Sequence, residues 1–391
     1  MSKAKALKQL VSMAAVCTGG ASVFGAYNLY TGNEKFYETI LIPLSHRLDP
    51  ETAHNLAVKA AKYNLLPRSN FKDPASLSSR VWDLQFQNPV GMAAGFDKQG
   101  EAVRGLHSMG FGFVEIGSVT PLPQPGNPKP RVFRLTEDSA IINRYGFNSE
   151  GHEAVLERLH VLKENGTDCI IGVNLGKNKT SSDPVKDYVD GIIKFGEVAD
   201  YLVINISSPN TPGLREWQNS SQLRELLTAL VSARNNLPTS SKPPILVKLA
   251  PDLNAQERKD IAKVISSKEC KIDGLIISNT TITRPEDLQS YASKEVGGLS
   301  GKPLTNSSTA LIKDMYSLTK GKLPIIGVGG IFTGQDAYEK VRAGASLVQF
   351  YTAYVYHGPP RITKIKEELD NLLRADGFSN ISEAVGKDVK L

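Results

Sequence analysis

From residue 80 onward the chain alternates short apolar runs with segments of helical periodicity. The runs are 90–94 (VGMAA), 112–117 (GFVEIG), 169–174 (CIIGVN), 201–205 (YLVIN), 245–249 (ILVKL), 273–278 (DGLIIS), 324–328 (PIIGV) and 346–350 (SLVQF). Most are near-continuous rather than alternating, as a parallel strand covered on both faces requires. Helical patterns follow at 152–164, 221–236, 255–266, 306–318 and 335–342. Eight strands, mostly followed by helices, predict an α/β fold of the (β/α)8 TIM-barrel type over residues 80–375. A doubly wound sheet is the alternative, but the GxGxxG turn common after its first strand is absent.

Ahead of this body the texture changes twice. Residues 9–33 carry no charge, and Leu10–Tyr30 is long enough to span a bilayer once, although Ser12, Thr18, Gly19, Gly20, Ser22, Gly25 and Asn28 interrupt it. Residues 1–9 are basic, contain serine and lack acid. They read as a targeting segment running into a single transmembrane anchor over 10–30, with a cleaved secretory signal as the competing reading. Residues 35–66 predict two short amphipathic helices around Asp49-Pro50, with Asp49 as cap and Pro50 in the first turn. Such a pair either packs on the main domain or lies in a membrane interface; the adjacent anchor favours the interface.

Charge sharpens the division. The chain has 391 residues and a net charge of +6, from 46 Lys and Arg against 40 Asp and Glu. Lys3, Lys5 and Lys8 are the only charges before Glu34, so half of the excess belongs to the N-terminus. The balanced body argues against nucleic-acid binding, which needs a dense basic patch. Cys17, Cys169 and Cys270 form no CxxC pair, and the histidines form no HxxxH pair, so neither a disulfide framework nor a metal site is indicated.

In a (β/α)8 barrel, catalytic groups belong at the C-terminal ends of the strands. Here those ends read AAGFDK (93–98), GSVT (117–120), NLGKNK (174–179), NISSPNT (205–211), KLAPD (248–252), SNTT (278–281), GVGG (327–330) and YTA (351–353). The segments 118–150 and 279–303 read as two long loops, of the kind that form lids or binding loops. GVGG after the seventh strand and Tyr351-Thr352 after the eighth match the recurring phosphate site of this fold, with GGLSGK (297–302) adding small residues. Asn143, Asn174, Asn205, Asn210 and Asn279 both donate and accept, which suits a planar ligand with alternating carbonyl and N–H groups, such as a pyrimidine. Lys98 and Lys248 could hold an anionic group or stabilise a reduced flavin. No catalytic His, Cys or carboxylate dyad stands in these clusters. Ser208 is the most plausible proton acceptor, and its use would leave the harder chemistry to an electron-accepting cofactor.

The strings GFDKQG, IGSVTP, NRYGFNS, NLGKNK, NISSPNTPGL, SNTT, GGLSGKPL, GVGGI and QFYTA, in this order, closely resemble dihydroorotate dehydrogenase, over about residues 35–375. More narrowly they resemble its membrane-associated, quinone-linked class, because Ser208 stands where soluble relatives use cysteine. The resemblance implies oxidation of dihydroorotate to orotate in pyrimidine biosynthesis, with FMN accepting the hydride and ubiquinone reoxidising it. It implies Ser208 as the base at C5, with Thr211 and Phe147 in the relay and gating around it. Lys98, Asn143, Tyr145, Phe147, Asn205, Asn210, Asn279 and Thr280 would hold the substrate. Ala93, Ala94, Gly95, Ser118, Asn143, Asn174, Asn205, Lys248, Ser278, Ser300, Gly301, Gly329, Gly330, Tyr351 and Thr352 would line FMN; Ser278 replaces the threonine of many relatives. The 35–66 pair would form a quinone tunnel, with His54, Arg134 and Tyr351 near the head group and Ala57, Leu65, Leu66 and Pro359 along the wall. Localisation at the inner mitochondrial membrane follows from the same class. The stretch Leu44–Leu48 is one residue shorter than in some relatives and Ala60 is small where an aromatic can occur, so tunnel shape does not carry over. Another FMN barrel with a soluble acceptor, or a silent membrane-tethered barrel, are the alternatives; Ser208 and the anchor argue against the first, the full polar cluster against the second.

Overall fold

The structure, a computed structural model, describes residues 3–238 and 242–391. Met1 and Ser2 of the expected targeting segment lie outside the described residues. Helix α1 (Lys3–Thr31) contains a stretch, Leu7–Thr31, long and apolar enough to cross a membrane, and none of its most apolar window is buried against the protein. At 1.5 Å per residue those 25 residues reach about 37 Å, more than a hydrocarbon core. Next come α2 (Glu34–Phe36), a π-helical turn over Tyr37–Leu41, and α3 (Ile42–Ser45), which run on without a break. Helix α4 (Pro50–Lys62) starts as its sequence dictates: the Asp49 carboxylate accepts from the Thr52 amide at 2.9 Å and Pro50 occupies the first turn.

The helical pair is both docked and apolar outside. Glu51 of α4 is buried and accepts from Arg131 Nη2 at 2.8 Å and Nε at 3.0 Å. A Cβ on Gly105 would fall 2.0 Å from the Ala61 carbonyl oxygen, so only glycine lets α4 lie this close to the barrel. On the other side, Ile40, Leu44, Leu48, Leu56 and Leu65 remain exposed. The two sequence readings of this segment are therefore compatible: one face packs on the barrel while the other stays apolar.

The hairpin β1 (Ser79–Val81) and β2 (Leu84–Phe86) precedes the barrel. Val81 and Phe86 pack against Phe113, Tyr201, Leu246, Ile326 and Leu347, all at or near strand starts, so the hairpin plugs the N-terminal end. The barrel strands are β3 (Val90–Met92), β4 (Phe113–Val119), β7 (Ile170–Leu175), β8 (Tyr201–Asn205), β9 (Ile245–Leu249), β10 (Gly274–Ile277), β12 (Ile325–Val328) and β13 (Leu347–Phe350). They are all parallel and close in the order β3-β4-β7-β8-β9-β10-β12-β13, which bears out the eight runs and excludes the doubly wound sheet. Around them lie α5 (Val103–Ser108), α6 (Gly151–Glu164), α7 (Pro184–Phe195), α8 (Ser220–Asn235), α9 (Ala255–Ile265), α10 (Thr305–Leu318) and α11 (Gly334–Arg342). Helices α12 (Thr352–His357), α13 (Pro360–Ala375) and α14 (Ile381–Ala384) follow the last strand.

One expectation is corrected. The segments 118–150 and 279–303 are not structureless. Strands β5 (Val132–Leu135) and β6 (Ala140–Asn143) from the first, and β11 (Gly298–Gly301) from the second, form an antiparallel sheet in the order β11-β6-β5. Their backbone groups satisfy each other across about 160 residues of sequence, which roofs one side of the barrel mouth with a sheet rather than with loops.

Candidate active site

With the bottom plugged, the barrel opens only at the C-terminal end of its strands. A cavity of about 500 Å³ starts there and runs out between the Tyr37–Leu41 turn, α3 and α4. Of the residues expected to hold substrate, Lys98, Asn143, Tyr145, Phe147, Asn205, Asn210, Asn279 and Thr280 all line it, and so does Ser208, the expected base. So do Ala93, Ala94, Gly95, Ser118, Lys248, Ser278, Ser300, Gly301, Gly329, Gly330, Tyr351 and Thr352. His54, Ala57, Ala60, Leu65, Leu66, Arg134 and Pro359 line its outer part. Asn174 and Thr211 do not reach the wall. Asn174 is fully buried beneath it and Thr211 is buried beside it.

The amides form one network. Asn205 Nδ2 donates to Ser118 Oγ at 2.9 Å, and Ser118 Oγ donates to Asn174 Oδ1. Asn279 Nδ2 donates to Asn205 Oδ1 at 3.1 Å and to Ser207 Oγ at 3.0 Å. Asn210 Nδ2 reaches Asn143 Oδ1 at 3.3 Å, joining the β8 loop to the roof sheet. Such a network fixes each amide's orientation, so the atoms left facing the cavity present a defined donor and acceptor pattern.

Beneath the network stands Glu115, which sequence reasoning missed. It is fully buried in β4, accepts from Asn174 Nδ2 and Gln349 Nε2, both at 2.8 Å, and lies 3.7 Å from Lys248 Nζ. A buried carboxylate needs partners of this kind. Its signal was a glutamate inside the apolar run GFVEIG, as Gln349 was inside SLVQF. Arg215 was missed too. It donates to the Ser207 carbonyl at 3.0 Å, to Asp252 at 2.7 Å and to the Thr280 carbonyl at 2.9 Å, tying the Ser208 loop to the two following strand ends.

Ser208 is nearly buried, and its Oγ accepts from the Asn210 amide at 3.3 Å. Phe147 lines the same wall with a left-handed backbone (φ +56°), a conformation that costs energy for an aromatic residue. Lys98 stands 4.2 Å from the centre of the Tyr145 ring. Burial, aided by nearby Arg131, pulls its ammonium down to about 8, against the opposing pull of Glu51. The turn carrying it is pinned by buried Asp97, whose carboxylate accepts from the Glu101 and Ala102 amides at 2.9 and 2.7 Å.

At the outer end, His54 Nε2 lies 2.7 Å from the Phe96 carbonyl, so it carries the ring proton, and Nδ1 accepts from the Tyr145 hydroxyl at 3.1 Å. Burial holds this imidazole down to about 4, so it is neutral under ordinary conditions. Its ring centre is 5.8 Å from that of Tyr351. Arg134 donates to the carbonyls of His46 and Leu48 at 2.9 and 3.0 Å, fixing the turn between α3 and α4.

The phosphate-type end is also formed. Tyr351 precedes the short helix α12, and Ser300 Oγ is 2.9 Å from Thr352 Oγ1. Gly330 is glycine because a Cβ there would sit 2.2 Å from Thr305 Oγ1. The Gly330 and Ile331 amides donate to no backbone carbonyl among the described residues. The donor set fits a flavin mononucleotide: unpaired amides for a phosphate, and an oriented Ser118, Asn205 and Lys248 set for a heteroaromatic ring. Among the described residues no group of three His, Cys, Asp or Glu side chains is placed to hold a metal.

Comparison with known proteins agrees with this geometry. The profile of the dihydroorotate dehydrogenase family matches residues 76–373. A mitochondrial dihydroorotate dehydrogenase (quinone) of Mus musculus is 53% identical over 387 residues, covering 97% of this chain and 98% of that protein. A dihydroorotate dehydrogenase (quinone) of Parvibaculum lavamentivorans is 51% identical, covering 89% of this chain and 98% of its own. The crystal structure of the Eimeria tenella enzyme in complex with ferulenol superposes with a TM-score of 0.85 at 44% identity, covering 89% of this chain and 99% of that one. By barrel, site and sequence together, the chain belongs to the dihydroorotate dehydrogenase family.

Proposed function

We propose that the protein oxidises (S)-dihydroorotate to orotate, with FMN as hydride acceptor and ubiquinone as terminal acceptor, in de novo pyrimidine (UMP) biosynthesis. The observation that carries this reading is one continuous cavity: a polar, amide-lined inner end joined to an apolar outer end between the Tyr37–Leu41 turn, α3 and α4. A polar pyrimidine and an apolar quinone need opposite surroundings, and one void supplies both. A soluble acceptor would have no use for the apolar part.

In this reading Lys98 holds the substrate carboxylate while Asn143, Asn205, Asn210, Asn279 and Thr280 orient the ring, with Tyr145 and Phe147 closing over it. Ser208 takes the proton from C5. When bound, FMN supplies the two-electron acceptor for the hydride leaving C6 and for its onward transfer to the quinone. Glu115 stands 3.7 Å from Lys248 and keeps Asn174 aligned beneath that group. Because His54 is neutral and its Nε2 proton is committed to Phe96, it offers the quinone end a fixed dipole rather than a charge. The apolar α1 and the exposed leucines of α3, α4 and the turns beside them would seat the cavity mouth at the inner mitochondrial membrane.

The test is cofactor content. Protein purified from detergent should be yellow and release about one FMN per chain, a single site being expected of this fold. A colourless protein with intact secondary structure would contradict the reading.

A further inference from the structure

Behind the Gly329–Gly330 turn lies a buried cation that the proposed chemistry has not used. Lys340 of α11 is fully buried. Its ammonium has three protons, and three neutral oxygens receive them: Ser308 Oγ at 2.7 Å, Thr309 Oγ1 at 2.8 Å and the Thr305 carbonyl at 3.1 Å. All three belong to the first turns of α10. Among the described residues no carboxylate is one of its hydrogen-bond partners. Burial pulls it down to about 7, with Asp336 and Glu339 acting from a distance in the opposite sense. A buried charge that is fully hydrogen-bonded yet has no counter-ion is costly, and the cost calls for an anion nearby.

The contacts show where that anion would sit. Ser308 Oγ, having accepted from Lys340, donates its own proton to the Gly329 carbonyl at 3.3 Å. Thr305 Oγ1 lies 2.8 Å from the Gly330 carbonyl and 2.9 Å from that of Lys302. Both glycine carbonyls thus point back toward α10. In a trans peptide the N–H points the opposite way, so the Gly330 and Ile331 amides are turned from α10 toward the cavity their residues line. Hydrogen bonds in series polarise one another, so through Ser308 the ammonium's charge is felt at the far side of the Gly329–Gly330 peptide.

We propose that Lys340 is a positioning residue for the ligand's phosphate: through Ser308 it fixes and polarises the amide of Gly330, by holding the Thr305 carbonyl it steadies the residue whose hydroxyl orients the Ile331 amide, and it makes this end of the cavity selective for a phosphate monoester dianion. The inference rests on the flavin reading above. Lys340 does not touch the ligand; it acts through the turn.

The test compares FMN with riboflavin, which differs only in lacking the phosphate. Holoenzyme is equilibrated with mixtures of the two, and the bound flavins are released and quantified. In Lys340→Met the preference for FMN over riboflavin should fall at least tenfold. In Ser308→Ala, which keeps the cation but breaks its path to Gly329, it should fall about threefold. An unchanged preference in Lys340→Met, with total flavin either kept or reduced, would mean the lysine merely packs and would overturn the proposal. If Lys340→Met fails to fold, Ser308→Ala decides: an unchanged preference overturns it. A wild-type protein that retains neither flavin would instead sink the flavin reading.

Discussion

Ser208 and Lys98 carry the sharpest expectations at the scale of single residues. Among the described residues Ser208 has no histidine or carboxylate as a hydrogen-bond partner, so in the proposed reading its own hydroxyl must take the C5 proton. Ser208→Ala should slow flavin reduction by dihydroorotate in stopped flow by about 100-fold or more, the usual worth of a placed base, while FMN stays bound. An unchanged rate would move the base elsewhere. Lys98 titrates near 8 because burial and Arg131 disfavour its charge. It is therefore cationic below about 8 and loses its proton as pH rises through that value. The KM for anionic dihydroorotate should rise above this pH in the wild type, and the rise should vanish in Lys98→Met. Both residues were legible because each ends an apolar run with a polar side chain. Glu115, Gln349 and Lys340 were not, because a polar residue inside an apolar run or on a buried helix face gives no sign of its partners. Arg215 was hidden differently: its three acceptors come from three separate strand ends.

At the scale of elements, the barrel strands declared themselves because burial on both faces forces continuous apolar sequence. The roof sheet did not. Its strands are four residues each, and β11 pairs with β6 from the far side of the barrel, so no local pattern marks the register. Helices α2–α4 were legible as an amphipathic pair, but not their dual attachment. Glu51–Arg131 inside and apolar side chains outside need the folded partner to be told apart. Ala57 of α4 lines the outer cavity, where a larger side chain would narrow the passage without touching the inner amides. Ala57→Phe should slow reoxidation of the reduced flavin by ubiquinone about tenfold and leave reduction by dihydroorotate within about twofold, an effect of filled volume rather than lost chemistry. Equal loss in both half-reactions would contradict the assignment of the outer cavity to the quinone.

For the whole molecule, the distribution of charge and apolar surface sets the arrangement. Lys3, Lys5 and Lys8, at the start of α1, hold half of the net charge, while the rest of the chain is nearly balanced. A body whose proposed ligands are one bound dianion, one small anion and one neutral quinone needs only placed cations, and the structure places them at Lys98, Lys248 and Lys340. The exposed α1 and the apolar faces of α3 and α4 occupy the same side as the cavity's outer end, so in the proposed reading substrate and quinone would share one void but favour opposite parts of it. That sharing implies alternating half-reactions. The direct test is an anaerobic titration of the holoenzyme with dihydroorotate, followed by ubiquinone, monitored by flavin absorbance. Dihydroorotate should bleach the flavin with one equivalent per site, and ubiquinone should restore the oxidised spectrum without oxygen. A flavin that stays oxidised with dihydroorotate, or that is bleached but not restored by ubiquinone, would contradict the account.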